Sequence, residues 1–228
     1  MDSTLLELNR EGVGMPFVPC FVENFIGYLQ QEERRRMLAA LAVTTAPEHW
    51  LSLESAALLD VEREKFGLAE RLDERPNVPR WLIAAERKKV DLWIEDLKGA
   101  LSPVSIEFKV IHNNKNAYQK IWEIRRDIAK PIPNTEHNDS VERWAIAMLI
   151  YSKFYDDQAG NYSYGEFANS SAFLEAFSTG IADSDQWYQD APKLVTVIGP
   201  VKICSLDMAN FIKPGQGAGI YLALMKRK

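Results

Sequence analysis

Asp91, Glu107 and Lys109 are charged residues set in two largely apolar stretches, "VDLWIEDL" and "VSIEFKVIHNN". In the second stretch Glu107 and Lys109 stand two apart. Strand alternation puts both on one face and sends Val104, Ile106, Phe108 and Val110 to the other, into the core. In the first stretch Val90, Leu92 and Ile94 face one way, and Asp91, Trp93 and Glu95 the other. The stretches are joined by "KGALSP", and positions 91 and 107 are symmetric about Gly99. An antiparallel hairpin centred there sets Asp91 directly opposite Glu107, with Cβ atoms roughly 4.5–5.5 Å apart.

Two facing carboxylates repel unless a cation stands between them. Hard oxygen ligands suit Mg²⁺, or Mn²⁺ in its place, which keeps several waters and takes one or two carboxylates plus substrate phosphate oxygens. The backbone C=O of Phe108 is a further candidate ligand. Lys109 then stands beside the attacking water, to orient it, help it deprotonate, or stabilise charge developing on phosphorus. That is the chemistry of phosphodiester hydrolysis. The plainer alternative is an ordinary charge pair on a half-exposed hairpin, in a structural or interaction protein.

The elements that must position these residues follow from the pattern. Helical spacing covers 21–42, and a second short helix covers 47–59. "VEREKFGL" alternates like a strand, and 67–82, with Pro76 and Pro79, reads as a long loop. Strands follow at 88–97 and from Pro103 or Val104. Ala117, Ile121, Ile124 and Ile128 recur at helical spacing, so 116–130 is an amphipathic helix, capped by Asn114 or Asn116 and stopped by Pro131 and Pro133. The nearly all-apolar "RWAIAMLIYSKFY" (143–155) suits a fully buried fourth strand. Residues 156–192 read as an insertion with a helix near 166–178, and "LVTVIGPVKICSL" and "AGIYLALMKRK" as two closing strands. The expected fold class is α/β, a mixed central sheet flanked by helices. Its parts are an N-terminal helical segment (1–45), a core (46–155), the insertion (156–192) and C-terminal strands (193–228) that complete a single domain.

The stretch "VDLWIEDLKGALSPVSIEFK" resembles the PD-(D/E)xK nuclease superfamily, the restriction-endonuclease-like proteins. The family pattern is an Asp at the start of one strand and Glu-x-Lys on the next, here Asp91, Glu107 and Lys109. Val90 stands where the family pattern has Pro. The resemblance covers about 50–155, because a helix ("NAYQKIWEIRRDIAK") and a buried strand ("RWAIAMLIY") follow in the family's order. It implies a restriction-endonuclease-like sheet and a Mg²⁺-dependent DNA endonuclease of restriction or host-defence type. Asp91, Glu107 and Phe108 would bind the metal, and Lys109 would serve the water. The resemblance also implies a helical Glu before the first strand. Glu54 is the best candidate, with Glu62 and Glu64 as rivals. Cleavage of both strands implies a symmetric homodimer. A catalytically inactive nuclease-fold protein, acting as a binding or regulatory module, is the alternative.

Further residues are candidate DNA contacts. Gln119 lies in the first turns of the helix after the site. Lys115 and Lys120 make that helix basic, as do Arg125, Arg126 and Lys130, and His112 follows the strand. Arg34, Arg35 and Arg36 read as a solvated helix face, and "GQGAG" (215–219) as a hairpin turn rather than a phosphate-binding loop. The aromatic residues of the insertion (Tyr155, Tyr162, Tyr164, Phe167, Trp187, Tyr188) suit a DNA-reading or dimerising element, or a small satellite core.

Composition narrows the setting. The formal net charge is −5, which argues against a histone-like polycation but leaves room for a local basic groove. No apolar run spans a bilayer, and "MDSTLLELNREG" lacks the features of a signal peptide, so a cytoplasmic location is expected. Cys20 and Cys204 read as reduced core thiols, and neither HExxH nor CxxC occurs.

Overall fold

The computed structural model describes residues 17–44, 47–133, 135, 140–152, 167–182, 192–206 and 218–227. Three helices come first: α1 (Phe17–Leu29), α2 (Glu32–Thr44) and α3 (Glu48–Val61). The strands β1 (Arg71–Leu72), β2 (Arg75–Pro79), β3 (Trp81–Ala85), β4 (Leu92–Asp96) and β5 (Val104–His112) follow. Then come α4 (Ala117–Ala129), β6 (Glu142–Tyr151), α5 (Ser170–Ala182), β7 (Leu194–Ser205) and β8 (Gly219–Arg227).

Six strands form one mixed sheet in the order β3-β4-β5-β6-β8-β7, and β1 and β2 form a separate two-stranded sheet. β3, β4 and β5 run as an antiparallel meander, while β5 and β6 are parallel. Parallel neighbours need a crossover, and α4 supplies it. The period-2 pattern of β6 divides the core. Trp144, Ile146, Met148 and Ile150 join Val104, Ile106, Phe108 and Val110 against α1, α2 and α3. Ala145, Ala147, Leu149 and Tyr151 join α4 and α5 on the opposite face. The sheet is therefore covered on both sides, which is why β6 carries no polar alternation.

The hairpin register is the one that symmetry about Gly99 requires: Leu92 pairs with Ile106, Trp93 with Ser105 and Ile94 with Val104. Its connection is fixed by Asp96. The Asp96 carboxylate accepts from the backbone N–H groups of Lys98, Ala100 and Leu101, and from Arg80 Nε and Nη2, both at 2.8 Å. Gly99 takes the positive φ of +68° that the turn needs. Asp96→Asn leaves part of this network unmade and is expected to cost about 2 kcal/mol, read as a lower denaturation midpoint.

Several sequence expectations are corrected here. The 21–42 helix is two helices, broken between Leu29 and Glu32. "VEREKFGL" is a run of turns rather than a strand. Its N–H groups bond locally (Lys65 to Glu62 O, Gly67 to Glu64 O, Leu68 to Arg63 O), and only Phe66 and Leu68 reach the core. The expected 67–82 loop holds β1, β2 and the start of β3. Pro76 and Pro79 sit in β2, whose one partner is β1, so they interrupt no central ladder. Val90 packs with Trp93, Ile132 and Val141 rather than with Leu92 and Ile94, because β4 begins only at Leu92 and Val90 still belongs to the preceding turn.

Helix α4 follows its amphipathic pattern; Asn116 occupies its N-cap, without a side-chain bond, and Lys130 its C-cap. The helix expected near 166–178 runs from Ser170 to Ala182 and buries Phe173, Phe177 and Ile181. Phe167 packs on Tyr118 and Phe173, while Tyr155, Tyr162, Tyr164, Trp187, Tyr188 and most of "GQGAG" lie outside the described residues. Cys204 is buried, but Cys20 is exposed and so is not a core thiol. No described helix is long and apolar enough to cross a membrane.

Candidate active site

β5 outruns β4. The last paired residue of β5 on that side is Ile106, opposite Leu92, so Phe108 and Val110 meet no β4 backbone. Two carboxylates take the place of the missing strand. Asp91 Oδ2 accepts from Phe108 N at 2.6 Å, and Glu48 Oε1 accepts from Val110 N at 2.8 Å. A strand residue sends its N–H and C=O to the same edge, so the Phe108 carbonyl also aims toward Asp91. Glu48 arrives on the first turn of α3 from one side of the sheet. From the other side comes α4, whose Asp127 meets Lys109 with Nζ to Oδ2 at 3.1 Å.

Glu107 and Lys109 lie beside Ala145 and Ala147 of β6, their register partners. These small side chains leave the space above the strand to the charged ones. Asp91 directly precedes Leu92, the last residue of β4 to pair with β5, and its charge acts on Glu107. Burial pushes Glu107 up to about 8, and Asp91 and Asp127 add to that while Lys109 opposes it. Burial also raises Asp91. The Phe108 N–H and Lys109 pull it back, and Glu86 and Glu48 push it up. Lys109 therefore does not neutralise the pair. Burial would lower its pKa, but the bond to Asp127 and the charges of Glu48, Asp127 and Glu123 outweigh that and raise it. Asp127 is held below the usual carboxylate range despite burial, by its bonds to Lys130 and Lys109.

The structure thus brings together three of the residues singled out from sequence: Asp91, Glu107 and Lys109. It does not bring Glu54. That side chain accepts from Tyr28 Oη at 2.6 Å and Arg34 Nη1 at 2.9 Å, tying α3 to α1 and α2. Glu54 is six residues past Glu48, which turns it to another face of the helix. Glu62 and Glu64 follow the far end of α3, roughly 20 Å from its start; Glu62 pairs with Lys65, and Glu64 is exposed. Glu48 is the acidic residue of α3 at the site. It opens the helix, where a carboxylate is favoured, but that preference alone does not mark a site. Asp127 was also missed as a site residue. It lies one turn beyond Glu123 on the face of α4 that carries charge toward Lys109.

The proposed DNA contacts are more dispersed. Gln119 Nε2 and Lys120 Nζ both bond Glu123, at 3.1 and 2.8 Å, so their polar ends are engaged within the helix. Lys115 is exposed just before α4. His112 ends β5, half-buried, and burial lowers its pKa. Arg34 and Arg36 are paired with Glu54 and Glu32.

The donor set around Asp91 is all oxygen, which fits a hard cation. Among the described residues, no trio of His, Cys, Asp or Glu side chains is gathered closely enough to chelate a metal alone. Two carboxylates and a carbonyl fit Mg²⁺, which completes its shell with water and substrate oxygens. No family model matches the chain, and no curated protein or solved structure matches it.

Proposed function

We propose that the protein is a metal-dependent DNA endonuclease with a restriction-endonuclease-like core. The observation that carries this is the gathering of two half-buried acids, Asp91 and Glu107, where β5 outruns β4, with Lys109 bonded to Asp127. A cation between them offsets the repulsion of such a pair. The order α3, β3-β4-β5 meander, α4, parallel β6 supports the same reading, since it follows the family pattern around Asp91 and Glu-x-Lys.

Asp91, Glu107 and the Phe108 carbonyl would hold Mg²⁺ or Mn²⁺, which when bound supplies Lewis-acid polarisation of the phosphoryl group and a more acidic water. The chain's own residues do the rest. Asp91, bound to the Phe108 N–H, is fixed in position. Lys109, kept charged by Asp127, stabilises negative charge building on the phosphoryl oxygens rather than taking a proton from water. Water oxygen bonds to phosphorus and releases its proton to solvent, the ester P–O bond breaks, and the leaving oxygen takes a proton from solvent, so that the two strand ends leave as a phosphate monoester and a hydroxyl. A homodimer would place one such site on each strand.

A second reading keeps the fold without the chemistry. Asp91 and Glu48 already cap the exposed N–H groups of β5, which is a structural task in itself. A cleavage assay separates the two. Plasmid and linear DNA are incubated with Mg²⁺, Mn²⁺ or EDTA, with wild type, Asp91→Ala and Lys109→Ala. Metal-dependent cleavage lost in both variants is the expected result. Cleavage unchanged in the variants, or none in wild type, would sink the assignment.

A further inference from the structure

The turn from β3 to β4 carries Glu86, Arg87, Lys88 and Lys89, with one residue, Val90, between them and Asp91. It closes on itself: Glu86 N donates to Asp91 O at 2.9 Å, and Val90 N to Arg87 O at 3.1 Å. The position of the turn and that of Asp91 are therefore tied together. Glu86, Lys88 and Lys89 have φ of +54°, +56° and +60°, and among the described residues no other non-glycine has a positive φ. Glycine or asparagine would occupy that conformation at lower cost. Here the positions carry Glu86, Lys88 and Lys89 instead.

Their placement is also specific. Lys88 Nζ stands 4.3 Å over the Trp93 ring. Trp93 pairs with Ser105, which alternation puts on the face of β5 that bears Glu107 and Lys109. Arg87 and Lys89 are exposed, and among the described residues neither meets a carboxylate. Several cations elsewhere are paired, as Arg34, Arg63, Arg80, Lys109 and Lys226 are. The charges that act most on Asp91 are those of Glu86, Lys109 and Glu48. In a chain of net charge −5, a turn with three cations against one carboxylate, Glu86, next to Asp91 attracts a polyanion toward it.

We propose that Arg87, Lys88 and Lys89 form the anchor for the phosphodiester backbone of a nucleic acid flanking the Asp91–Glu107 pair. This rests on the nuclease reading and names its substrate contact. The turn binds phosphates beside the one to be cleaved and fixes the strand's approach to Asp91.

The test is the salt dependence of binding to a short labelled DNA duplex, with a chelator present so that no metal-dependent cleavage occurs. Each lost phosphate contact makes the slope of log K against log salt shallower by about 0.9. Lys89→Gly is expected to give that change, and Arg87→Ala with Lys89→Ala about twice it. Lys202→Ala, on the opposite sheet edge, is expected to leave the slope alone. Lys89→Gly also separates binding from folding: glycine tolerates the positive φ, so its Tm is expected to be no lower than that of wild type. Unchanged slopes in the turn variants overturn the anchor, and the nuclease reading survives if Asp91→Ala still abolishes cleavage. A wild type that binds no duplex overturns both. If poly-glutamate binds as tightly as the duplex, with the same loss in the variants, the turn serves an acidic protein and the anchor falls.

Discussion

Freed of divalent cations, the protein is expected to lose stability as pH rises through about 8, and Glu107→Gln is expected to abolish most of that loss. The sign follows from proton uptake. Glu107 is raised from an ordinary 4.5 to about 8 on folding, so across that interval the folded state holds a proton that the unfolded state has released. Its contribution is fully present below the unfolded value and gone once pH has passed the folded one. At its steepest the loss is about 1.4 kcal/mol per pH unit, a large share of a typical domain's stability. Asp91 is raised as well and acts in the same direction, while Asp96, Glu123 and Asp127 are lowered and lose their contribution only in acid. Melting curves of wild type and Glu107→Gln at several pH values, in EDTA, measure the difference. Added Mg²⁺ is expected to restore the wild type most strongly at alkaline pH, where proton competition is least. A wild-type Tm that is flat or rising from about pH 6 to about pH 9 would show that Glu107 does not hold its proton in the folded state.

Removing the Lys109 charge is expected to have the largest effect on rate. Lys109→Met keeps most of the side chain and deletes the ammonium. Loss of one preorganised charge-stabilising donor lowers kcat about 100- to 1,000-fold. The fold is expected to survive, because Asp127 keeps Lys130 and Arg126 as partners. Asp127→Asn acts at one remove. It frees the ammonium from its 3.1 Å contact and removes part of what raises its pKa. A roughly 10-fold lower kcat is expected, with the alkaline limb of the pH–rate profile moved to lower pH. Single-turnover cleavage across pH checks both variants. A Lys109→Met enzyme as fast as wild type would remove lysine from the chemistry.

The centre of the site could be read from sequence because it rests on two local regularities. Alternation separates Glu107 and Lys109 from Phe108 and Val110, and hairpin symmetry about Gly99 brings in Asp91. The third acid was not legible in the same way. Glu54 and Glu48 lie on one helix, and only packing decides which of its faces meets β5. Tyr28 and Arg34 claim Glu54, from helices whose relation to α3 no local pattern states. The Lys109–Asp127 contact likewise depends on how α4 lies across the sheet. The edge strands were missed for a different reason: β2 carries two prolines and pairs only with two-residue β1, so it lacks the apolar alternation that marks a buried strand. The three positive-φ residues before Asp91 gave no sign at all, since Glu and Lys are not the residues expected there.

The most direct measurement is Mn²⁺ binding followed by electron paramagnetic resonance, on wild type, Asp91→Ala and Glu107→Gln, at about pH 6 and about pH 9. A cation site at the facing carboxylates gives bound Mn²⁺ in wild type, more at the higher pH, with a proton released on binding, and little in either variant. Absence of bound Mn²⁺ in wild type at both pH values, or binding that Glu107→Gln leaves intact, would contradict it.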